Sequence, residues 1–300
     1  MEASGKPVGL IGAGLMGTAC AKRLLAAGFQ VLGYDVDARK LDGIAGLGAR
    51  RAGSAAEIAR ACDRAVLAVF NTEQVEETIE GARGLLASRL QNAPPFTAIC
   101  VSTCDPDRIA ALAERLPADR LRYVEAPVSG TSEQTARGEA LGLVGGSPAA
   151  AESVRDVIEA ICPRWHHLGP AGNGGRAKLA INLILGINRA ALAEGLVLAE
   201  RMGLAAEKFL EVARDSAAHS QAMDIKGGKM VSGDFSPQGY ITQSLKDFSL
   251  MLEQARRLRQ RLPLGEIYAS LMEGCVAAGE GGLDNSAVIR EIRRRTLDKA

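Results

Sequence analysis

Val8-Gly9-Leu10-Ile11-Gly12-Ala13-Gly14-Leu15-Met16-Gly17 is the stretch on which the fold turns. An aliphatic run of strand length meets three glycines spaced G-x-G-x-x-G, and an alanine-rich helical pattern continues from Leu15 to Ala27. Between a strand and a helix the three glycines serve different ends, permitting a tight turn, close approach of backbone to a diphosphate, and close strand-helix packing. The helix would then present its unpaired first-turn N–H groups to the phosphates. Gly12, Gly14 and Gly17, with Leu15 and Met16 between them, are therefore candidate cofactor-binding residues.

The glycine pattern alone is weak in a chain with 34 glycines. Asp35 strengthens it, because it follows the next strand pattern, Gln30 to Tyr34, and lies 18 residues beyond Gly17. A carboxylate there can accept from the adenosine ribose hydroxyls and would repel a 2′-phosphate. NAD is the favoured cofactor; Arg39 and Lys40, just downstream, leave NADP open.

Outward from this unit the first half alternates aliphatic runs with helical stretches. The strand patterns are Val8 to Ile11, Gln30 to Tyr34, Ala65 to Phe70, Thr97 to Ser102, Leu121 to Glu125 and Leu141 to Val144. Helical stretches such as Leu15 to Ala27 and Glu73 to Arg89 separate them, as in βαβ units of a parallel sheet. After Gly169-Pro170-Ala171-Gly172-Asn173-Gly174-Gly175 a helical pattern runs unbroken from about Arg176 to Met202. Further helices are expected over Ala205 to Ala217, Ile241 to Leu262, Leu264 to Gly279 and Ser286 to Thr296, without a convincing strand. The expectation is an α/β chain: a doubly wound, Rossmann-type domain over 1–168 and an all-helical substrate and oligomerisation domain over 169–300.

The long helix is apolar on nearly every face, so a membrane span has to be weighed. Lys178, Asn182, Arg189 and Glu194 argue against one, and a buried central helix of a helical domain is expected instead. Composition agrees: of 300 residues 47% are hydrophobic and 24% charged, with 36 Lys and Arg against 35 Asp and Glu. That balance calls for neither nucleic acid nor membrane. The basic runs Arg256 to Arg261 and Arg290 to Arg295 fall late in expected helices, where cations complement the dipole. The polar start, Met1 to Pro7, carries no signal-like apolar segment, so a cytoplasmic location is expected.

Six cysteines lack metal-site or disulfide spacing and read as reduced core thiols. His166 and His167 alternate faces of a strand with no ligand at metal spacing, and no metal site is expected.

Five blocks in order resemble the β-hydroxyacid dehydrogenase family, which includes 3-hydroxyisobutyrate and tartronate semialdehyde enzymes. They are Gly12 to Gly17, Ser102-Thr103-Cys104-Asp105-Pro106, Glu125-Ala126-Pro127-Val128-Ser129-Gly130-Thr131, Gly169 through Lys178 to Asn182, and Lys246-Asp247. Lys178 and Asn182 are four apart and share a helix face. Taken alone they could be a lysine snorkelling to solvent and an asparagine bonding to nearby backbone. The resemblance implies that Lys178 is the catalytic acid/base and that Asn182 positions the substrate. It also implies a carboxylate-bearing substrate at Ser129, Gly130 and Thr131, Ser102 and Thr103 near the nicotinamide ribose, and Lys246 reaching toward cofactor or substrate. An ordinary lysine titrates near ~10.4, so alcohol oxidation by such a base should improve at alkaline pH.

Two positions depart from the family pattern. Thr131 stands where the motif usually closes on glycine, and Ile181 where many relatives carry a second asparagine. The expected activity is hydride transfer between NAD(P) and a small 3-hydroxy acid or its semialdehyde, in a homodimer or homotetramer. An imine reductase-like enzyme shares the glycine loop but lacks this lysine. A non-catalytic NAD(P)-binding sensor would need neither Lys178 nor Asn182.

Overall fold

The computed structural model describes residues 7–90 and 92–295. Met1 to Lys6, and Thr296 at the end of the last expected helix, lie outside the described residues. The chain forms two compact units that part between Lys178 and Leu179.

The first unit is built on six parallel strands: β1 (Val8–Ile11), β2 (Val31–Tyr34), β3 (Arg50–Arg51), β4 (Arg64–Leu67), β5 (Phe96–Cys100) and β6 (Leu121–Glu125). Their order across the sheet is β3-β2-β1-β4-β5-β6. β1 and β5 are buried along their whole length, as strands covered on both faces must be. One apolar core, with Leu10, Leu24, Val66 and Ile99, fills one side; another, with Ile58, Leu67, Phe96 and Leu112, fills the other. Chain order reverses between β1 and β4, and sheets of this kind bind ligands at the carboxyl ends of the strands beside such a reversal.

The expected strand Leu141 to Val144 is formed but leaves the main sheet. It is β8 of a separate three-stranded sheet, between β7 (Val128–Ser129) and β9 (Arg164–His167). β7 and β8 are antiparallel, whereas β8 and β9 are parallel. Paired bonds of 2.9 Å between the backbones of Glu125 and Gly145 connect the two sheets.

The stretch Glu73 to Arg89 is not one helix. α4 (Thr72–Glu80) stops at Gly81, and α5 (Leu85–Ser88) begins after Gly84. Two glycines three apart remove the conformational restraint that would have carried the helix through.

The second unit is helical, with only an isolated bridge, Tyr240 to Asp284, among its described residues. It packs the later turns of α10 (Asn173–Arg201) with α11 (Ala206–Asp215), α12 (Gln221–Ser232), α13 (Ile241–Arg257), α14 (Pro263–Ala277) and α15 (Val288–Arg294). Leu196, Met230, Phe248, Tyr268 and Ile289 are among its core residues. α12 went unread because Gly227-Gly228 interrupts its pattern. A Cβ on Gly227 would lie 2.6 Å from Leu210, so glycine there lets α11 and α12 pack closely.

α10 departs from the expectation of a helix buried on every side. It is long and apolar enough to cross a membrane by length and composition, yet only 22% of its most apolar window is buried. Leu192, Ala193 and Leu196 are buried, while Ile184 and Leu198 are 59% and 60% exposed.

Candidate active site

Gly12 follows β1 at φ +95°, a conformation that L side chains rarely adopt, and a Cβ there would lie 2.5 Å from the carbonyl oxygen of Ala68 beyond β4. Gly17, in α1 (Leu15–Ala26), has no room either: its Cβ would fall 1.9 Å from the Gly12 carbonyl oxygen. Around Gly14 the space is open, with nothing within 4 Å of a built Cβ. The three glycines thus divide turn, approach and packing as their spacing requires. No described side chain caps α1 at Gly14, so its first-turn N–H groups remain to meet an anion. These features fit a dinucleotide diphosphate.

Asp35 follows β2 and is tied to the same loop. Its Oδ2 accepts from the Ala13 N–H at 2.6 Å and its Oδ1 from the Asp37 N–H at 2.8 Å. A carboxylate offers about four acceptor positions, so capacity for ribose hydroxyls remains. Arg39 pairs with Asp37 at 3.3 Å on the surface.

Ser102 and Thr103 follow β5. The Ser102 hydroxyl donates to the Val69 carbonyl at 2.6 Å, and Thr103 is buried. The next helix, α6 (Pro106–Arg115), is capped by Asp105, which accepts from the Asp107 and Arg108 N–H groups. Pro106 occupies its first turn, where no N–H is needed.

Ser129 ends β7, and Gly130 turns the chain at φ +152°, where a Cβ would lie 2.9 Å from that of Ala140. Thr131 then caps α7 (Ser132–Arg137) in a reciprocal capping box. Its hydroxyl accepts from the Gln134 N–H at 3.1 Å, and the Gln134 side-chain oxygen accepts from the Thr131 N–H at 2.9 Å. The threonine in the family's glycine position therefore has a local use that its neighbours in sequence explain.

Glu125, last in β6, is 3% exposed and accepts from the Gly174 N–H at 2.8 Å and the Gly175 N–H at 3.1 Å. Burial pushes its carboxyl above the usual range, although backbone donors at Gly174, Gly175 and Gly172 and the Arg176 charge pull the other way. Sequence reading passed over Glu125 as part of a motif. Its partners are 49 and 50 residues away, with no local signal joining them.

Lys178, 8% exposed, lies one turn beyond Gly174 on α10. In the second unit, the Asn182 side-chain N–H donates to Asp247 Oδ2 at 2.9 Å. Asp247 is buried, and Lys246 Nζ lies 3.0 Å from its other oxygen, Oδ1. Sequence had singled out Lys246; Asp247 beside it is the residue that holds Asn182. The six cysteines are buried and stand outside any disulfide, and no group of metal-ligating residues occurs among the described residues.

Residues 7–169 match the family model of the NAD binding domain of 6-phosphogluconate dehydrogenase. Residues 172–292 match that described as NAD-binding of NADP-dependent 3-hydroxyisobutyrate dehydrogenase. The chain is 32% identical to an L-threonate dehydrogenase of Cupriavidus necator, over 94% of this chain and 95% of the relative. It is equally 32% identical to a 2-(hydroxymethyl)glutarate dehydrogenase of Eubacterium barkeri, over 97% and 95%. A crystal structure of a 3-hydroxyisobutyrate dehydrogenase from Salmonella typhimurium superposes with a TM-score of 0.86 at 29% identity, covering 95% of this chain and 99% of that one. With both parts of the chain matched and such relatives spanning its length, the protein belongs to the β-hydroxyacid dehydrogenase family and is an NAD(P)-dependent dehydrogenase.

Proposed function

We propose that the chain transfers a hydride between NAD and a small 3-hydroxy acid or its semialdehyde, with Lys178 as acid/base. The observation that carries the reading is a lysine 8% exposed, one turn along a helix whose first amides are held from the carboxyl edge of the sheet. Ligands of such sheets gather at that edge.

When bound, the nicotinamide supplies or accepts the hydride. Gly12, Gly14, Leu15, Met16, Gly17 and Asp35 would hold its diphosphate and adenosine ribose, with Ser102, Thr103 and Lys246 toward the nicotinamide end. The chain's own residues handle the proton. In reduction the Lys178 ammonium polarises the aldehyde oxygen and donates to it; in oxidation the neutral amine removes the alcohol proton. Asn182 orients the substrate, and the bond to Asp247 fixes which way its amide faces. Ser129, Gly130 and Thr131 offer hydroxyl and backbone donors to the substrate carboxylate. The carboxylate of Asp35 supports NAD over NADP.

We place the domain boundary at 168/169 from the chain's own breaks; the compact units part later, between Lys178 and Leu179, consistent with bonds from Glu125 that hold Gly174 and Gly175 in the first unit. We assign the protein to the cytoplasm as a homo-oligomer.

The test is a screen of L-threonate, 3-hydroxyisobutyrate and 2-(hydroxymethyl)glutarate with NAD and NADP, read at the reduced-nicotinamide absorbance. Lys178→Ala should lower turnover on the best substrate by roughly 100-fold or more with cofactor affinity unchanged. Full turnover in that variant sinks the assignment, and cofactor binding without turnover of any hydroxy acid favours a sensor.

A further inference from the structure

We propose that Glu125 is a positioning residue for Lys178. Its carboxylate grips the first turn of α10 and so sets where the lysine one turn later stands. The inference rests on the reading of Lys178 as the acid/base.

Glu125 is held at both its backbone and its side chain. Backbone bonds of 2.9 Å in each direction pair it with Gly145, and its two carboxylate oxygens take the N–H groups of Gly174 and Gly175. Three glycines make the space. A Cβ at Gly145 would lie 2.2 Å from Glu125 Oε1, at Gly174 3.1 Å from its carboxyl carbon, and at Gly175 3.3 Å from Oε2. Gly174 has a second constraint, since its Cβ would come 2.4 Å from the Leu143 carbonyl oxygen.

An acid this deeply buried is costly unless its oxygens are bonded. Here they meet the positive end of a 29-residue helix, the site where backbone dipoles favour a negative charge. A serine or aspartate from within α10 could cap its N–H groups at less cost in burial. A cap supplied from β6 instead ties the helix to the edge of the sheet that carries the cofactor loop. Small displacements of a catalytic group cost turnover steeply, which gives such a tie a use beyond stability.

The closing experiment is a double-substitution cycle on the full-length enzyme with NAD and the best of the three hydroxy acids. Glu125→Gln keeps the shape but turns an amide NH2 against a backbone donor. It should lower kcat roughly tenfold, with KM and the NAD Kd changed less than about threefold. Glu125→Asp keeps the charge and should recover part of the loss. In the Lys178→Ala background, Glu125→Gln should cost nothing further, because the group it positions is gone.

Unchanged kcat in Glu125→Gln, or an undiminished loss in the Lys178→Ala background, overturns the proposal. Wild-type turnover in Lys178→Ala overturns the reading of the lysine instead. Amide hydrogen exchange supplies a readout free of turnover. Gly174 and Gly175 should exchange about tenfold faster or more in Glu125→Gln, or in Glu125→Asp if the former does not fold, while the later turns of α10 stay protected. Equal exchange in variant and wild type overturns the proposal whatever the kinetics show.

Discussion

Asp35 serves the cofactor loop twice, and the two uses can be separated by substitution. Its carboxylate ties the Ala13 and Asp37 amides, and under the proposed preference for NAD its negative charge would oppose a 2′-phosphate. Asp35→Ser removes the repulsion, which is on the order of 1 to 4 kcal/mol for charges 4 Å apart near a surface. The ratio of NADP to NAD affinity should then rise about tenfold or more, while NAD itself binds more weakly because the loop loses its tie. Calorimetric titration with both cofactors measures this; a wild type that already binds both equally would count against the assigned role. Thr131 shows the opposite relation of sequence to site. Sequence placed its donors at the substrate carboxylate, yet its backbone N–H already donates to the Gln134 side-chain oxygen. The hydroxyl, which accepts from the Gln134 N–H, keeps its proton to donate, so Thr131 offers a carboxylate one donor rather than two.

At the scale of elements, the second unit is held by a buried charge cluster that sequence did not single out. Lys226 on α12 reaches both oxygens of Asp284 at 2.9 and 2.8 Å, with exposures of 5% and 0%. Asp284 also accepts from the Gln238 and Ser286 N–H groups and the Ser286 hydroxyl. Burial pushes its carboxyl up, but the Lys226 charge and these donors outweigh it, and the net direction is below the ordinary value of 3.8. The unfolded chain therefore binds this proton more readily than the folded one. The stabilisation is present above pH 3.8 and is lost as pH falls from there through the folded value. Asp284→Asn should cost about 3 to 5 kcal/mol near neutral pH by leaving Lys226 buried without its counter-charge. Denaturant melts across acidic pH should also show a shallower loss of stability for the variant than for the wild type. Equal slopes would mean that Asp284 does not carry the effect.

For the whole molecule, the exposed side of α10 is the feature to explain. Ile184, Leu198 and Met202 are 59%, 60% and 64% exposed, and Leu204 and Val212, beyond it and on α11, are more than half exposed. Exposed apolar side chains of this kind are what the proposed assembly would cover. Our proposal of a homo-oligomer predicts that light scattering on a sizing column returns at least two chains per particle. Leu198→Asp should shift the population toward one chain, because a charge buried without a partner at such a contact is strongly disfavoured. A wild type that runs as one chain at micromolar concentration would sink the assembly.

Much of the first unit was legible in the chain because its signals are local. Strand runs, the glycine spacing and the position of Asp35 are set within some thirty residues, where sterics and hydrogen-bond geometry decide. The four-residue spacing of Lys178 and Asn182 is likewise a property of any helix. What escaped was of two kinds. α12 and β3 lack the periodicity that marks an element: one contains a glycine pair, of which Gly227 makes room for Leu210, and the other is two exposed arginines. The remaining features are pairings over long separations: Glu125 with Gly174 and Gly175, Asn182 with Asp247, Lys226 with Asp284, and the removal of β8 to its own sheet. By itself the sequence determined which residue types sit on which local element, since backbone sterics act over a few bonds. Only the tertiary structure decided which of them meet, because a hydrogen bond depends on separation in space and leaves no trace in separation along the chain.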